Sequence, residues 1–323
     1  MMKKVSRRQF IQQSAQWAMV SLALGAGGAA IGCKQTSPAL KVIDVHVHAD
    51  FRDEVLRRQA RTLSSIDYSQ QGLMAEMMEN RVEHAITIGF ETERDELSHQ
   101  AENPMGLSAA GEPAGPLRNV SLIGGVNPHR LDQEGLTRIE QALKERRLKG
   151  LKIYLGYYHK HPDDDVYKPV YELAGQYQVP VVFHTGDTYS ANAKVRYAHP
   201  LRIDDVAVDF RQVTFVLAHL GNPWTMDAAE LLYKNPNVYA DLSGFLVGDQ
   251  AYFDDPENAE GFEHVIERIQ RAVAWVENPK KFMYGSDWPL VPMKPYLALM
   301  KRAIALPHHE RVFYANAEDV FKL

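Results

Sequence analysis

Short apolar runs rich in Val, Ile, Leu and Phe recur along the chain from Lys41 onward, and each is followed by a turn-forming Gly, Pro, Asn or Asp. The runs are almost continuously apolar, which is typical of parallel strands that are buried on both faces. We predict eight such strands. They span Val42–His48, His84–Phe90, Val120–Asn127, Leu151–Gly156, Val179–Thr185, Thr214–Leu220, Val238–Ser243 and Phe282–Asp287.

Segments with the periodicity of amphipathic helices separate these strands. The predicted helices lie around Gln70–Asn80, Leu131–Arg146, Val166–Gln178, Trp224–Lys234 and Glu260–Glu277, followed by Met293–Leu306 and Val312–Leu323. An open sheet would need a Gly-rich nucleotide-binding fingerprint, which the sequence lacks. Repeated strand–helix alternation therefore predicts an α/β fold, a (β/α)8 TIM barrel over residues 42–323.

Two long connections interrupt this alternation. Glu91–Arg118 follows the second predicted strand, and the acidic segment Gly248–Asn258 follows the seventh. Both leave the carboxyl ends of strands, which is the face where barrels build their active sites. They are either loops of a substrate pocket or solvated surface loops.

The first 33 residues resemble an export signal rather than part of the fold. Arg7 and Arg8 precede an Ala- and Gly-rich apolar stretch, an arrangement that resembles a twin-arginine signal; the alternative is the basic start of a general secretory signal. The stretch is too short and too weakly apolar for a membrane span. Ala30-Ile31-Gly32-Cys33 resembles a lipobox, in which Cys33 would be lipidated, unless Cys33 is incidental to an ordinary cleaved signal.

This N-terminal pattern divides the chain into a signal (1–33), a short linker (34–41) and the barrel (42–323). It predicts a bacterial protein exported by a twin-arginine route, either periplasmic or anchored as a lipoprotein. Any membrane contact would come only through the signal or a lipid on Cys33. Cys33 is the only cysteine, so the chain can form no internal disulfide and no cysteine-ligated metal site.

Composition narrows the class of partner. With 45% hydrophobic and 24% charged residues, the 323-residue chain has the make-up of a soluble globular protein. Its formal net charge of -5 provides no basic stripe to neutralise phosphates, which argues against a nucleic-acid partner. A small organic molecule is the expected substrate.

Candidate metal ligands lie at the carboxyl ends of four predicted strands. His46 and His48 end the first strand, and because residues i and i+2 of a strand point to the same side, both imidazoles would face the barrel mouth. His184, His219 and Asp287 end the fifth, sixth and eighth strands. Burying so many polar groups without a shared partner would be costly, and a cation is that partner.

These motifs, in this order, resemble those of the amidohydrolase superfamily, within its amidohydrolase-related branch of hydrolases and non-oxidative decarboxylases. The resemblance runs from Val42–His48, through His184, His219 and Gly285-Ser286-Asp287-Trp288-Pro289, to Tyr314–Phe321. It implies a metal-dependent TIM barrel in which His46, His48 and Asp287 hold a first divalent ion, most naturally zinc, with manganese as the alternative. His184 would complete that site or bind a second ion, and Asp287 would accept a proton from the metal-bound water.

The resemblance leaves the number of ions open. Lys152, in the fourth strand, matches the position where some members carry a carboxylated lysine that bridges two metals; the alternative is a plain lysine paired with a carboxylate or with substrate. His219 would be a ligand of the second metal in the first case. In the second case it would be a general acid or base beside a single metal.

Three further polar residues near strand ends are candidates for orienting substrate: Arg52, Tyr154 and Asn222. Arg52 could do so by forking onto a carboxylate. The alternative for each is an exposed loop residue.

The function predicted from the sequence is hydrolysis of an amide, lactone or ester-like bond in a small organic substrate by a metal-activated water. A metal-dependent, non-oxidative decarboxylase of a small carboxylic acid is the first alternative. The second is a catalytically inactive, exported metal-binding protein.

Overall fold

Eight parallel strands form one sheet that curls into a barrel in the computed structural model, which describes residues 40–51, 53–89, 105–106 and 119–323. The strand order is β1-β2-β4-β5-β6-β7-β8-β9, and the two-residue β3 pairs antiparallel with β4 off this path. The bounds are β1 Val42–Val47, β2 Val82–Ile88, β3 Met105–Gly106, β4 Val120–Val126, β5 Leu148–Ile153, β6 Val181–Phe183, β7 Phe215–Leu217, β8 Val238–Asp241 and β9 Phe282–Met283. The predicted (β/α)8 TIM barrel is confirmed.

The barrel closes between β1 and the segment that follows β9. The Asp287 N–H donates to the His46 carbonyl at 2.8 Å, and the His48 N–H donates to the Trp288 carbonyl at 2.7 Å. Val47 and Trp288 form a parallel bridge between the same two segments. The seam of the barrel therefore brings the first and the last of the predicted ligands side by side.

Helices cover the outside of the barrel. They are α1 Glu54–Gln59, α2 Gln70–Asn80, α3 Gln133–Lys144, α4 Lys168–Tyr177, α5 Ile203–Asp209, α6 Thr225–Lys234, α7 Gln250–Asp254, α8 Ala259–Val276, α9 Met293–Ala303 and α10 Asn316–Phe321. The predicted helices are confirmed with slightly shifted ends, and a π-helical turn at Arg311–Ala315 precedes α10. In the part of the chain that the structure describes, no helix is both long and apolar enough to cross a membrane.

Three short helices, α1, α5 and α7, were not predicted. Each spans two turns or fewer, too short for an apolar stripe to repeat, so the periodicity that reveals a longer helix is missing. α7 lies within the acidic segment predicted as a loop, where Asp249 caps it by accepting the Tyr252 N–H at 3.0 Å.

Leu40–Leu323 form one compact unit. The predicted export signal, the Cys33 lipidation site and most of the linker lie outside the described residues, and so does the Glu91–Arg118 connection apart from β3.

A buried lysine closes the amino-terminal end of the barrel, opposite the predicted ligands. Lys281, just before β9, donates from Nζ to the carbonyls of Asn235, Pro236 and Val238 at 2.9, 2.7 and 2.9 Å. Its ammonium also lies 4.6 Å from the centre of the Tyr239 ring. Burial lowers the pKa of Lys281 to about 8.

Candidate metal centre

The carboxyl ends of β1, β6, β7 and β9 bring the five predicted ligands into one buried cluster. The rings of His46 and His48 lie 5.3 Å apart, and the rings of His46 and His219 lie 4.8 Å apart. His184 extends the cluster, with its ring 4.9 Å from that of His219. All four histidines and Asp287 are buried and line one pocket at the barrel mouth.

The tightest set within this cluster consists of His46, His219 and Asp287, whose ligand atoms lie within 4.8 Å of one another. Asp287 Oδ1 lies 3.4 Å from His46 Nε2 and 3.2 Å from His48 Nε2. This carboxylate oxygen is buried, yet it has no hydrogen-bond partner among the described residues. An orphaned carboxylate oxygen surrounded by imidazole nitrogens is the donor set that a divalent cation such as Zn²⁺ takes.

The predicted and the observed strands differ at their carboxyl ends, where the predicted ligands lie. β6 and β7 end at Phe183 and Leu217, so His184 and His219 lie just beyond their strands rather than within them. His219 has a φ of +63°, which turns its backbone out of the strand direction. Asp287 also has a positive φ, +68°. Asparagine, aspartate and histidine accept this left-handed region more readily than most residues do.

Main-chain carbonyls set which nitrogen of two histidines carries the proton, because a carbonyl can only accept. His48 donates from Nδ1 to the Ile88 carbonyl at 3.2 Å, which leaves the lone pair on Nε2, the atom beside Asp287. His184 donates from Nε2 to the Asp187 carbonyl at 2.7 Å. The lone pair of His184 is therefore on Nδ1.

Two residues that we did not single out from the sequence support the cluster from below. Asp241, at the end of β8, lies with Oδ2 3.0 Å from His46 Nδ1. Ser243 places Oγ 3.0 Å from His46 Nδ1 and 2.8 Å from His219 Nδ1. The signal was the spacing itself: both residues ended a predicted strand two positions apart, as His46 and His48 do.

Two more residues hold the backbone around the ligands. Asp44 Oδ1 accepts the N–H groups of His46 and Ser286 at 3.1 and 3.0 Å, which links the two sides of the seam, and burial raises the pKa of Asp44 to about 7. Gly244 packs directly under His219. A Cβ on residue 244 would lie 2.3 Å from His219 Nδ1.

The electrostatics of the cluster favour the forms that bind cations. Burial lowers the pKa of His46, and the nearby charge of Lys152 lowers it further. Burial also lowers the pKa of His219, to about 4. Burial alone would raise the pKa of Asp287, but the imidazoles of His46, His219 and His48 outweigh it and hold that pKa well below its usual value. At neutral pH the imidazoles of His46, His184 and His219 are neutral, because burial lowers the pKa of each, and the Asp287 carboxylate is ionised.

The structure places three of the remaining candidates on the wall of the same pocket. Lys152, on β5, is fully buried, with Nζ 5.4 Å from the centre of the Tyr154 ring. Tyr154 donates its hydroxyl to the Gly89 carbonyl at 3.1 Å. Asn222 accepts a hydrogen bond from Arg268 through its side-chain oxygen. The fourth candidate, Arg52, lies outside the described residues.

The family described as amidohydrolase matches residues 43–323 of the chain. A search of curated protein sequences found no match. Among solved structures, an uncharacterized TIM-barrel protein from Bordetella bronchiseptica is 18% identical with a TM-score of 0.62, and the match covers 88% of this chain and 99% of that one.

Two structures of enzymes also match over 88% of this chain. One is a 5-carboxyvanillate decarboxylase from Novosphingobium aromaticivorans, complexed with manganese and 4-hydroxy-3-methoxy-5-nitrobenzoic acid; it is 13% identical, with a TM-score of 0.56 over 97% of that chain. The other is a probable 2-pyrone-4,6-dicarboxylic acid hydrolase from Acinetobacter baumannii with citric acid bound, 15% identical with a TM-score of 0.56 over 100% of that chain. At such identities the likeness shows the fold alone.

Proposed function

The chain belongs to the amidohydrolase family of metal-dependent enzymes, and from this premise we propose that it hydrolyses an amide, lactone or ester-like bond in a small organic substrate. The observation that carries the proposal is Asp287, an ionised carboxylate with an orphaned oxygen that faces the pocket. Hydrolysis requires a group that removes a proton from the attacking water, and an ionised carboxylate can accept one.

His46, His48 and Asp287 would hold a first divalent ion, with His219 and His184 as the neighbouring donors. A divalent ion in such a site supplies Lewis acidity, which lowers the pKa of water from near 16 to about 7 and polarises a carbonyl oxygen. We propose zinc or manganese, since imidazole nitrogen and carboxylate oxygen suit both. The number of ions depends on Lys152, because a second ion beside this lysine would require its side chain to be in the carbamate form.

The residues around the ligands would do the rest of the chemistry. Asp287 takes the proton of the attacking water and passes it to the leaving group, while the neutral imidazoles keep their lone pairs for the cation. Tyr154 and Asn222 lie where they can orient a bound substrate. The barrel wall excludes bulk water from the base of the pocket, which strengthens each of these polar interactions.

Decarboxylation is the second candidate, and Lys152 is the observation that favours it. This lysine is fully buried and lines the pocket, so its ammonium could neutralise the carboxylate of a bound substrate. Against it stands the pKa of His219, which burial lowers to about 4, because a histidine can protonate a substrate carbon only when it carries the extra proton itself.

A substrate panel separates the two reactions. The protein loaded with Zn²⁺ or Mn²⁺ would be given lactones, amides and aromatic carboxylic acids, with hydrolysis and carbon dioxide release followed in parallel. We expect hydrolytic turnover that Asp287→Asn abolishes. Release of carbon dioxide without hydrolytic turnover would replace the hydrolase by the decarboxylase.

Metal content tests whether the protein is an enzyme at all. We expect the purified protein to contain or take up a divalent ion, and His46→Asn to lose both the ion and the activity. A wild-type protein with no ion and no affinity for added zinc or manganese would support an inactive protein.

We further propose that the chain is exported through its twin-arginine motif and anchored by a lipid on Cys33. Cell fractionation should find the variant with Arg7→Lys and Arg8→Lys in the cytoplasm. Cys33→Ser should move it from the membrane fraction to the soluble periplasmic fraction. Unchanged location of both variants would count against the signal and the anchor.

A further inference from the structure

We propose that Asp241 and Ser243 are positioning residues that fix the tautomers of His46 and His219, so that the metal centre is already formed before an ion arrives. The inference rests on the metal site of the proposed function, but not on the reaction that the site performs. It concerns atoms that face away from the pocket, on the Nδ1 side of both rings.

The protons of this network can be assigned one by one. Ser243 has a single hydroxyl proton, and its Oγ lies 2.5 Å from Asp241 Oδ1, which already accepts two backbone N–H groups and therefore acts only as an acceptor. The hydroxyl proton therefore belongs to that bond. His219 Nδ1, 2.8 Å from the same Oγ, must then be the donor, and it carries the ring proton.

His46 follows by the same reasoning. Its Nδ1 lies 3.0 Å from Asp241 Oδ2 and 3.0 Å from Ser243 Oγ. Three hydrogen bonds to Oδ1 stabilise Asp241 as the carboxylate, and the Ser243 proton is already used, so neither atom has a proton to offer. His46 Nδ1 therefore carries the ring proton and donates it. Both histidines are left with a lone pair on Nε2, which for His46 lies 3.4 Å from Asp287 Oδ1.

The second carboxylate oxygen of Asp241, Oδ1, cannot be replaced by a hydrogen-bond donor. Asp241 Oδ1 accepts the backbone N–H groups of His219 and Ser243, each at 3.0 Å, in addition to the Ser243 hydroxyl. In Asp241→Asn the amide oxygen must stay on this side, because an NH₂ group would face three donors. The NH₂ group then faces His46.

This change should switch the tautomer of His46. With an NH₂ donor opposite it, Nδ1 must become the acceptor, and the ring proton moves to Nε2, where it points at Asp287 and occupies the place of the cation. The substitution is isosteric, so it opens no cavity. Loss of partners that orient metal-bound histidines typically weakens metal affinity about 10- to 100-fold.

Ser243→Ala tests the second half of the network. It removes the acceptor of His219 Nδ1 while leaving Asp241 to hold His46, so we expect a smaller loss of affinity than in Asp241→Asn. Asp204→Asn is the matched control, because Asp204 also accepts side-chain hydrogen bonds, from Lys234 and Asn235, but lies outside the pocket.

Two measurements decide the proposal. Calorimetric titration with Mn²⁺ should give a dissociation constant at least about tenfold higher for Asp241→Asn than for the wild type and Asp204→Asn. Long-range ¹H–¹⁵N spectra of the metal-free protein, with His46 assigned by its absence in His46→Asn, should show Nδ1–H in the wild type and Nε2–H in Asp241→Asn.

An unchanged Mn²⁺ affinity in Asp241→Asn, or a His46 that keeps its Nδ1 proton there, would overturn the proposal. A wild-type protein that binds neither Mn²⁺ nor Zn²⁺ would instead refute the proposed metal enzyme. The tautomer spectra would still decide the inference in that case, since they need no metal.

Discussion

At the scale of single residues, Gly244 determines how closely the chain can approach His219. Its φ is +66°, and a Cβ would lie 2.3 Å from His219 Nδ1. Gly244→Ala should therefore displace the His219 ring and strain the backbone by about 1–2 kcal/mol. We expect Mn²⁺ affinity, followed by calorimetric titration, to fall about tenfold or more, as when a ligand loses its support.

Gly261→Ala is the control for this substitution. Gly261 lies in α8, and a Cβ there meets no atom within 4 Å among the described residues. Alanine should stabilise the helix by up to about 1 kcal/mol and leave metal affinity unchanged. If both alanine variants bind Mn²⁺ like the wild type, close packing under His219 has no part in forming the centre.

The residues that were predictable from the sequence differ in kind from those that were not. His46, His48, His184, His219 and Asp287 have side chains whose chemistry suggests metal binding wherever a strand ends. Asp241, Ser243 and Gly244 act through what they touch, and those contacts join strands far apart in the sequence. Only the folded barrel shows them.

At the scale of elements, Lys281 holds the start of β8 to the start of β9. Lys281→Met would leave the carbonyls of Pro236 and Val238 without this donor, whereas the Asn235 carbonyl would keep the Val238 N–H at 3.3 Å. Val238 is buried and Pro236 is exposed. Since one unpaired buried acceptor costs about 1–3 kcal/mol, and methionine removes a buried charge in return, we expect a net loss of about 1–2 kcal/mol in the free energy of unfolding.

Chemical denaturation measures this loss, with Lys280→Met as its matched control. Lys280 is the exposed neighbour of Lys281, and its substitution should change the free energy of unfolding by less than about 0.5 kcal/mol. Mn²⁺ affinity should be unchanged in both variants, because the lysines lie at the opposite end of the barrel from the metal centre. Equal stability of the two variants would refute the role given to Lys281.

The pattern of apolar residues predicted which segments form strands and long helices, but it predicted the ends of these segments less accurately. It located every strand of the closed barrel, because strands buried on both faces are apolar throughout. It extended β6 and β7 through His184 and His219, since the pattern of residue types does not show where the backbone leaves the sheet. Helices as short as α1 and α7 have no periodicity to detect.

At the scale of the whole molecule, the metal centre combines ligands from the first strand of the barrel and from the segment after the last strand. An ion bound there should therefore stabilise the entire fold. Binding to the folded state alone adds about 2.7 kcal/mol when the free ion is at 100 times its dissociation constant. For a barrel of this size, that corresponds to a rise of roughly 4–5 °C in melting temperature.

Thermal unfolding with and without Mn²⁺ measures this rise. His46→Asn, which lacks one ligand, should show little or none of it, whereas Asp204→Asn should show all of it. If Mn²⁺ leaves the melting temperature of the wild type unchanged, the cluster does not bind this ion.

The seam of the barrel also sets when the centre can come into existence. Asp44 and Ser286, which are hydrogen-bonded across it, are 242 residues apart in the chain. A ribosome must therefore add at least 242 residues after Asp44 before the two halves of the ligand set can meet. The complete ligand set can therefore form only after Asp287 has been synthesised and has paired with β1, so full metal affinity is acquired late in folding.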